Sequence, residues 1–293
     1  MRGWRATIGS VIVDFHTHVF PPRVRDQREE YLRRDPTFRD LYSSPKARIA
    51  TAEDLLASMD RTGIHLSIIL NLAWRDAAIC RETNEYILEA AARSGGRLVP
   101  FCAVQPSHEG AREEIERCAA GGARGLGELR PHHQGYSLAG SDEADLLACT
   151  ARAHDLVLLF HLSEPLGRLY PGKFGLSLDQ LYRFVKGLQG VTVVAAHWGG
   201  GLPFYALMPE VREALTTTYF DTASSSLLYE PAVYRHAVEL VGAERILFGS
   251  DFPLLPQDRC LMEMQEAPLD EEARCLILGE NARRLLRLAH GAT

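Results

Sequence analysis

Short apolar runs alternate with stretches of helical period along most of this 293-residue chain. "SVIVDF" (10–15), "LSIILNL" (66–72), "RLVPFCAV" (97–104) and "ARGLGE" (123–128) read as strands. So do "LVLLFHL" (156–162), "VTVVAAH" (191–197), "TTYFDT" (217–222) and "RILFGSD" (245–251). Helical periods fall near 52–62, 78–94, 109–120, 141–154, 177–188, 204–214, 230–241 and 270–288. In the second of these, Ile79, Thr83, Tyr86, Ile87 and Ala90 share one stripe, as an amphipathic helix requires. Strands apolar on both faces, each followed by a helix, predict a parallel sheet. Eight such units in about 250 residues fit a closed (β/α)8 TIM barrel, a single α/β domain over 1–293; an open doubly wound sheet is the rival. The segment 19–50 is too long and polar for a plain turn and reads as an insertion, a lid over the barrel mouth. The segment 163–176 is a second long loop.

Composition narrows the class. With 46% hydrophobic and 24% charged residues, the chain can bury a full core and is not a disordered type. Its net charge of −6, from 38 acidic against 32 basic residues, offers no footing for nucleic acid. Six cysteines without a CxxC pair suit a reducing compartment better than a disulfide framework. The basic start reaches Asp14 before an apolar signal region develops. The longest uncharged stretch, 187–209, has the length of a membrane span but holds five glycines, Pro203, Gln189 and His197, and so reads as strand and loop. The expectation is a cytoplasmic protein that acts on a small molecule, with no membrane or nucleic-acid partner and with room for a homo-oligomer.

The strands end in polar residues. "IVDFHTH" closes the first with His16 and His18, which strand alternation puts on one face, Asp14 deeper on the same face. Asp14 is therefore expected to hold an imidazole by a hydrogen bond. Glu128 ends the fourth strand, His161 the fifth, His197 the sixth and Asp251 the eighth. In a parallel barrel these ends share one rim, where such folds keep their active sites. Imidazoles with carboxylates suit a divalent transition metal such as zinc, and a carboxylate centred among them can bridge two ions. The structural alternatives are core histidines at 161 and 197, a turn cap at Asp251, and an ion pair of Glu128 with Arg124 or Arg130.

Taken together, "VDFHTHVFP", the lone histidines of "LLFHLSEP" and "VAAHWGG", and "ILFGSDFP" resemble the amidohydrolase superfamily, from Val13 to about Leu286. Within it the chain is similar to amidohydrolase family 2, which includes aminocarboxymuconate-semialdehyde and resorcylate decarboxylases. The resemblance implies that His16, His18, His161, His197 and Asp251 surround the metal or metals. That branch works with one metal and generally lacks an acid on strand four. In having Glu128 there, the chain resembles the binuclear TatD-like hydrolases. This second comparison implies one ion at His16, His18 and Asp251, another at His161 and His197, and Glu128 between them.

The leading expectation is a metal-dependent hydrolase with one or two divalent ions, zinc first and manganese second. An activated water would attack a C–O or C–N bond of a small anionic substrate, with Asp251 as base and then acid. The alternative is a decarboxylase of an aromatic or unsaturated carboxylic acid. There His197 would deliver a proton, and Arg130 or Arg168 would anchor the carboxylate. Arg130 and His132 in "RPHHQGY", Arg168, Tyr170 and Lys173 in "GRLYPGK", and Trp198 beside His197 are the substrate-facing candidates, because loops at this rim line the pocket.

Overall fold

All eight expected strands form: β1 (Val13–His18), β2 (Leu66–Leu70), β3 (Leu98–Cys102), β4 (Gly125–Leu129), β5 (Val157–Phe160), β6 (Val193–Ala195), β7 (Thr218–Asp221) and β8 (Ile246–Leu247). The computed structural model describes residues 11–173 and 175–288. The basic start of the chain and Ser10 of the first expected strand lie outside the described residues. The strands pair in parallel in their order along the chain. The segment after β8 then returns to β1: Phe15 N donates to Phe248 O at 2.7 Å, and Asp251 N to His16 O at 2.9 Å. The result is a (β/α)8 barrel.

Two apolar layers hold it. Val13, Phe15, Ile68, Phe101, Leu159 and Val194 fill the interior of the barrel. Leu126, Leu158, Phe160 and Val193 pack outward against Leu147 and Leu181 of the surrounding helices. Gly125 of β4 is required by this filling, since a Cβ there would collide with the Phe101 ring.

One detail of β1 overturns the simple alternation. Val13 pairs with Leu66 and Asp14 with Ser67, but the next partners are Thr17 and Ile69, so β1 carries a bulge. Val13 and Phe15 face the barrel interior and Ile12 the outer layer. Asp14 therefore lies on the face opposite the expected one. Its carboxylate accepts from Ser250 N (2.9 Å), Ser250 Oγ (2.6 Å) and Gln257 Nε2 (2.7 Å), and bonds to no imidazole. Burial pushes this carboxyl up to about 6 against those three donors.

Helix limits follow local chemistry. Ala52–Thr62 opens on a capping box of Thr51 and Asp54 and stops at the left-handed Gly63. The expected helix at 204–214 is a 3-10 segment, Leu202–Leu207, and a short helix that restarts at Pro209. The span 270–288 contains a π turn at Leu276–Glu280, where a Cβ on Gly279 would strike Val11 O. A further helix, Gln257–Glu266, follows β8 and escaped the sequence reading, although Cys260, Leu261 and Met264 mark its buried stripe.

The 19–50 insertion is helical rather than irregular, with Pro22–Asp26, Arg28–Arg34 and Pro36–Tyr42. It docks through rings. Phe38 stacks on Trp74 of the loop after β2 at 5.2 Å, and Phe20 meets both edge-on. Asp35, fully buried, fastens it: one oxygen caps Thr37 N and Phe38 N, and the other accepts from Arg75 N and Asp76 N. Asp35→Ala leaves four amides short of a partner and should cost about 2–4 kcal/mol. The check is thermal unfolding with limited proteolysis, which should show earlier melting and faster cleavage within 19–50.

Candidate metal centre

The rim gathers the six polar strand-end residues read from the sequence. His16 Nε2 and His18 Nε2 stand 3.1 Å apart. Asp251 Oδ1 lies 3.7 and 3.6 Å from those two nitrogens. Glu128 Oε1 is 2.8 Å from His161 Nδ1 and 3.2 Å from His197 Nε2. His16 and His18 with Glu128, and Glu128 with His161 and His197, form two groups whose ligand atoms lie within 4.8 Å of one another. All six residues are buried.

Tautomers follow from the outer nitrogens. His16 Nδ1 faces the Asp221 carboxylate at 2.8 Å, and His18 Nδ1 faces Leu70 O at 3.3 Å. Both partners are acceptors, so each Nδ1 carries the hydrogen. The two Nε2 lone pairs then confront each other at 3.1 Å, an arrangement that demands a proton or a metal ion between them. Two nitrogens at 2.0–2.1 Å from one ion stand roughly 3.0–3.4 Å apart, so the spacing fits a shared ligand pair. This is a site for a divalent metal.

Charge agrees with that assignment. Burial alone would lower the His16 imidazole, but the Asp221 carboxylate against it, with Asp251 and Glu128, raises it to about 10. Burial and the positive His16 lower His18 to about 4, so it is a neutral ligand at pH 7. Burial and the Arg130 charge lower His161 to about 3. Burial opposes ionisation of Asp251 and Glu128, yet the imidazoles hold Asp251 low, and Arg130 with His161 holds Glu128 well below the carboxylate range. His197 points Nδ1 at Ala223 O (3.3 Å) and Nε2 at Glu128 Oε1, two acceptors. Burial would lower it, but the bond to Glu128 raises it.

The backbone bends to aim these groups. His197 (φ 56°), Trp198 (56°), Ser224 (59°) and Asp251 (67°) are left-handed, a conformation that costs a non-glycine residue of order 1 kcal/mol. Ser224 Oγ donates to Asp251 Oδ2 at 2.6 Å, and Asp221 Oδ1 accepts from His197 N at 2.8 Å. Asp221 therefore steadies His16 and His197 together. The sequence reading passed over it, although it ends β7, much as Glu128 stands one residue before the end of β4.

The substrate-facing candidates divide. Arg130 joins the centre, donating to Glu128 Oε2 from Nη2 at 3.1 Å and from Nε at 3.3 Å. Its Nη1 is buried without a hydrogen-bond partner. Glu128 is thus both a member of the ligand cluster and the ion-pair partner of Arg130. His132 is exposed on the short helix Pro131–Gln134. Within the 163–176 loop, Lys173 Nζ donates to Leu166 O and Arg168 O, and Tyr170 OH to Glu164. Arg168 reaches Leu227 O. Trp198 does not face the mouth. The left-handed turn carries its ring into the outer apolar layer, edge-on to Tyr234 at 5.1 Å, with Nε1 donating to Ser225 Oγ. A cavity of about 650 Å³ is lined by Leu169 and Leu176 of the 163–176 loop with Tyr205 and Met208, and it borders the centre at Ser163, whose Oγ lies 3.0 Å from His161 Nε2.

Residues 13–288 match the family model described as amidohydrolase. The chain belongs to the amidohydrolase family. It is 25% identical over 288 residues to a 6-methylsalicylic acid decarboxylase of Penicillium expansum, covering 85% of this chain and 87% of that one. Its fold is that of the 5-carboxyvanillate decarboxylase of Sphingomonas paucimobilis, at a TM-score of 0.79, 18% identity, and coverage of 96% and 100%. The 5-carboxyvanillate decarboxylase of Novosphingobium aromaticivorans, complexed with manganese and 4-hydroxy-3-methoxy-5-nitrobenzoic acid, matches at 0.79 with 17% identity, covering 98% of each chain. Among the described residues of this amidohydrolase, no helix is long and apolar enough to cross a membrane.

An ion and a proton compete for the same lone pair on His16. Loading the metal-free protein with a divalent ion near pH 7 should therefore release about one proton per ion, and affinity should rise with pH up to the His16 value near 10. Titration calorimetry in buffers of different ionisation heat measures the count. Zero protons released would mean that His16 Nε2 is not a ligand.

Proposed function

We propose that this amidohydrolase is a metal-dependent decarboxylase of an aromatic carboxylic acid. One observation carries the reading: Arg130 holds Glu128 Oε2 while its own Nη1 stays buried and unpartnered. A carboxylate already engaged by a guanidinium is a poor bridge between two ions, which weakens the binuclear hydrolase expectation. A buried guanidinium nitrogen lacking an acceptor favours a carboxylate ligand. The decarboxylase relatives support the same choice. The insertion 19–50 would serve as the lid over this site.

His16, His18 and Asp251 would hold a divalent ion, zinc or manganese, which supplies Lewis-acid polarisation of an oxygen on the acid. Arg130 Nη1 would bind the carboxylate and orient the scissile C–C bond. As that bond breaks, carbon dioxide departs and its electron pair stays on the ring carbon, which must gain a proton. His197 is the donor: Glu128 favours its charged form, and Ala223 O fixes the ring by accepting from Nδ1. Such positioned proton transfer contributes about 10²–10⁴-fold. Asp251, kept ionised by the imidazoles and held by Ser224, is a ligand in this scheme rather than a base.

Metal analysis and gas release test the reading together. The loaded enzyme should bind one ion per chain and release carbon dioxide from hydroxybenzoates such as 6-methylsalicylate. Two ions per chain with hydrolysis of lactones or amides, and no carbon dioxide, would restore the hydrolase. Arg130→Lys keeps a charge beside Glu128 but loses the fork, so KM for the acid should rise about 10- to 100-fold with a smaller change in kcat.

A further inference from the structure

Two segments beside the centre carry an apolar surface that the chain itself leaves uncovered. Among the described residues eight large apolar side chains stand exposed, and six of them belong to the 163–176 loop or to the stretch from Leu202–Leu207 to Met208. Leu166 is 81% exposed, Leu169 75% and Leu207 70%, while Phe204, Tyr205 and Met208 lie between 39% and 49%. The two segments form one surface. Leu169, Tyr205 and Met208 line the same cavity of about 650 Å³, and a Cβ on Gly200 would lie 2.6 Å from Ser163 O. The charged groups of the loop are tied down within the chain. Lys173 Nζ donates to Leu166 O and to Arg168 O at 2.6 Å, Arg168 to Leu227 O at 2.7 Å, and Glu164 accepts from Tyr170 OH at 2.9 Å. No charged residue occurs from Gly199 to Pro209. A surface that holds its charges to its own backbone and sends leucines into solvent is built to meet a partner.

Size and shape indicate which partner. At roughly 200 Å² for a fully exposed side chain, the six present roughly 700 Å². That exceeds the about 300–600 Å² of the largest patch on a typical monomer and approaches the about 800 Å² each subunit gives to a stable interface. The patch also contains both halves of a contact. Leu166 projects between Pro165 and Gly167, which line the cavity, so an apolar knob stands at the edge of an apolar hollow. A two-fold axis places each knob over the hollow of the other copy, because such an interface uses one patch twice. We infer that this face is the interface of a symmetric homodimer, with Leu166 of each copy entering the cavity of the other. The loop that docks also walls the centre: Ser163 Oγ lies 3.0 Å from His161 Nε2, and a Cβ on Gly172 would lie 3.2 Å from Arg130 Nη1. The dimer stands whichever reaction the centre performs.

Sedimentation velocity of the full chain over micromolar concentrations tests the interface. The parent protein should sediment as a dimer. Leu166→Asp and, separately, Leu207→Asp should each raise the dimer dissociation constant about 100-fold, since either buries a charge without a partner. Both positions are open to solvent in one copy, so far-UV circular dichroism should be unchanged. Met262→Asp is the control, exposed at 54% on the helix Gln257–Glu266, and should remain dimeric. A monomeric parent would overturn the inference and leave this face to a different partner. A dimer that survives both Leu166→Asp and Leu207→Asp, or that Met262→Asp weakens equally, would overturn it too.

Discussion

Two imidazole nitrogens meeting at 3.1 Å with their lone pairs face to face is the constraint on which the rest of the centre depends. The contact is tolerable only with a positive centre between them, and everything nearby is arranged to keep it so. Asp221 commits the outer nitrogen of His16, and the carbonyl of Leu70 commits that of His18. Asp251 and Glu128 supply negative charge on the open side. Barrel closure and site assembly are the same event here, because the amide of Asp251 donates to the carbonyl of His16. A sheet that failed to close would leave the pair without the Asp251 carboxylate beside it.

Around this pair the protein balances buried charge. Glu128 is stabilised by Arg130 and by His161 and His197, a cost of burial offset by several charge-assisted bonds. The left-handed residues His197, Ser224 and Asp251 sit where strand ends turn into loops. Their strain is held by packing: Trp198 is locked between Tyr234 and Ser225 in the outer layer. The aromatic residue beside His197 is therefore an anchor for the turn.

The proposed reaction turns on a residue outside the candidate ligand set. Amidohydrolases share the rim and its histidines, and the fold alone does not separate water attack from loss of carbon dioxide. The Arg130–Glu128 pair does bear on it, since it ties up the acid a binuclear site would use and presents a nitrogen to an anion. Leu41 of the 19–50 insertion and that nitrogen both lie beside Gly172.

The barrel was legible because apolar strands and helical stripes repeat with fixed periods, and Ala52–Thr62 even carries its start and its stop signal in the sequence. The metal cluster was legible because a parallel barrel brings every strand end to one rim, so His16, His18, Glu128, His161, His197 and Asp251 could be chosen from their positions alone. Asp221 could have been found by the same rule. Asp14 could not be placed, because one extra residue in β1 reverses its face and leaves no mark in the composition. Nor could Trp198, whose direction depends on a left-handed turn. Periodicity fixes which residues share an end of the sheet. Bulges, turns and docked insertions set the direction of each side chain, and those depend on contacts between segments far apart in the chain.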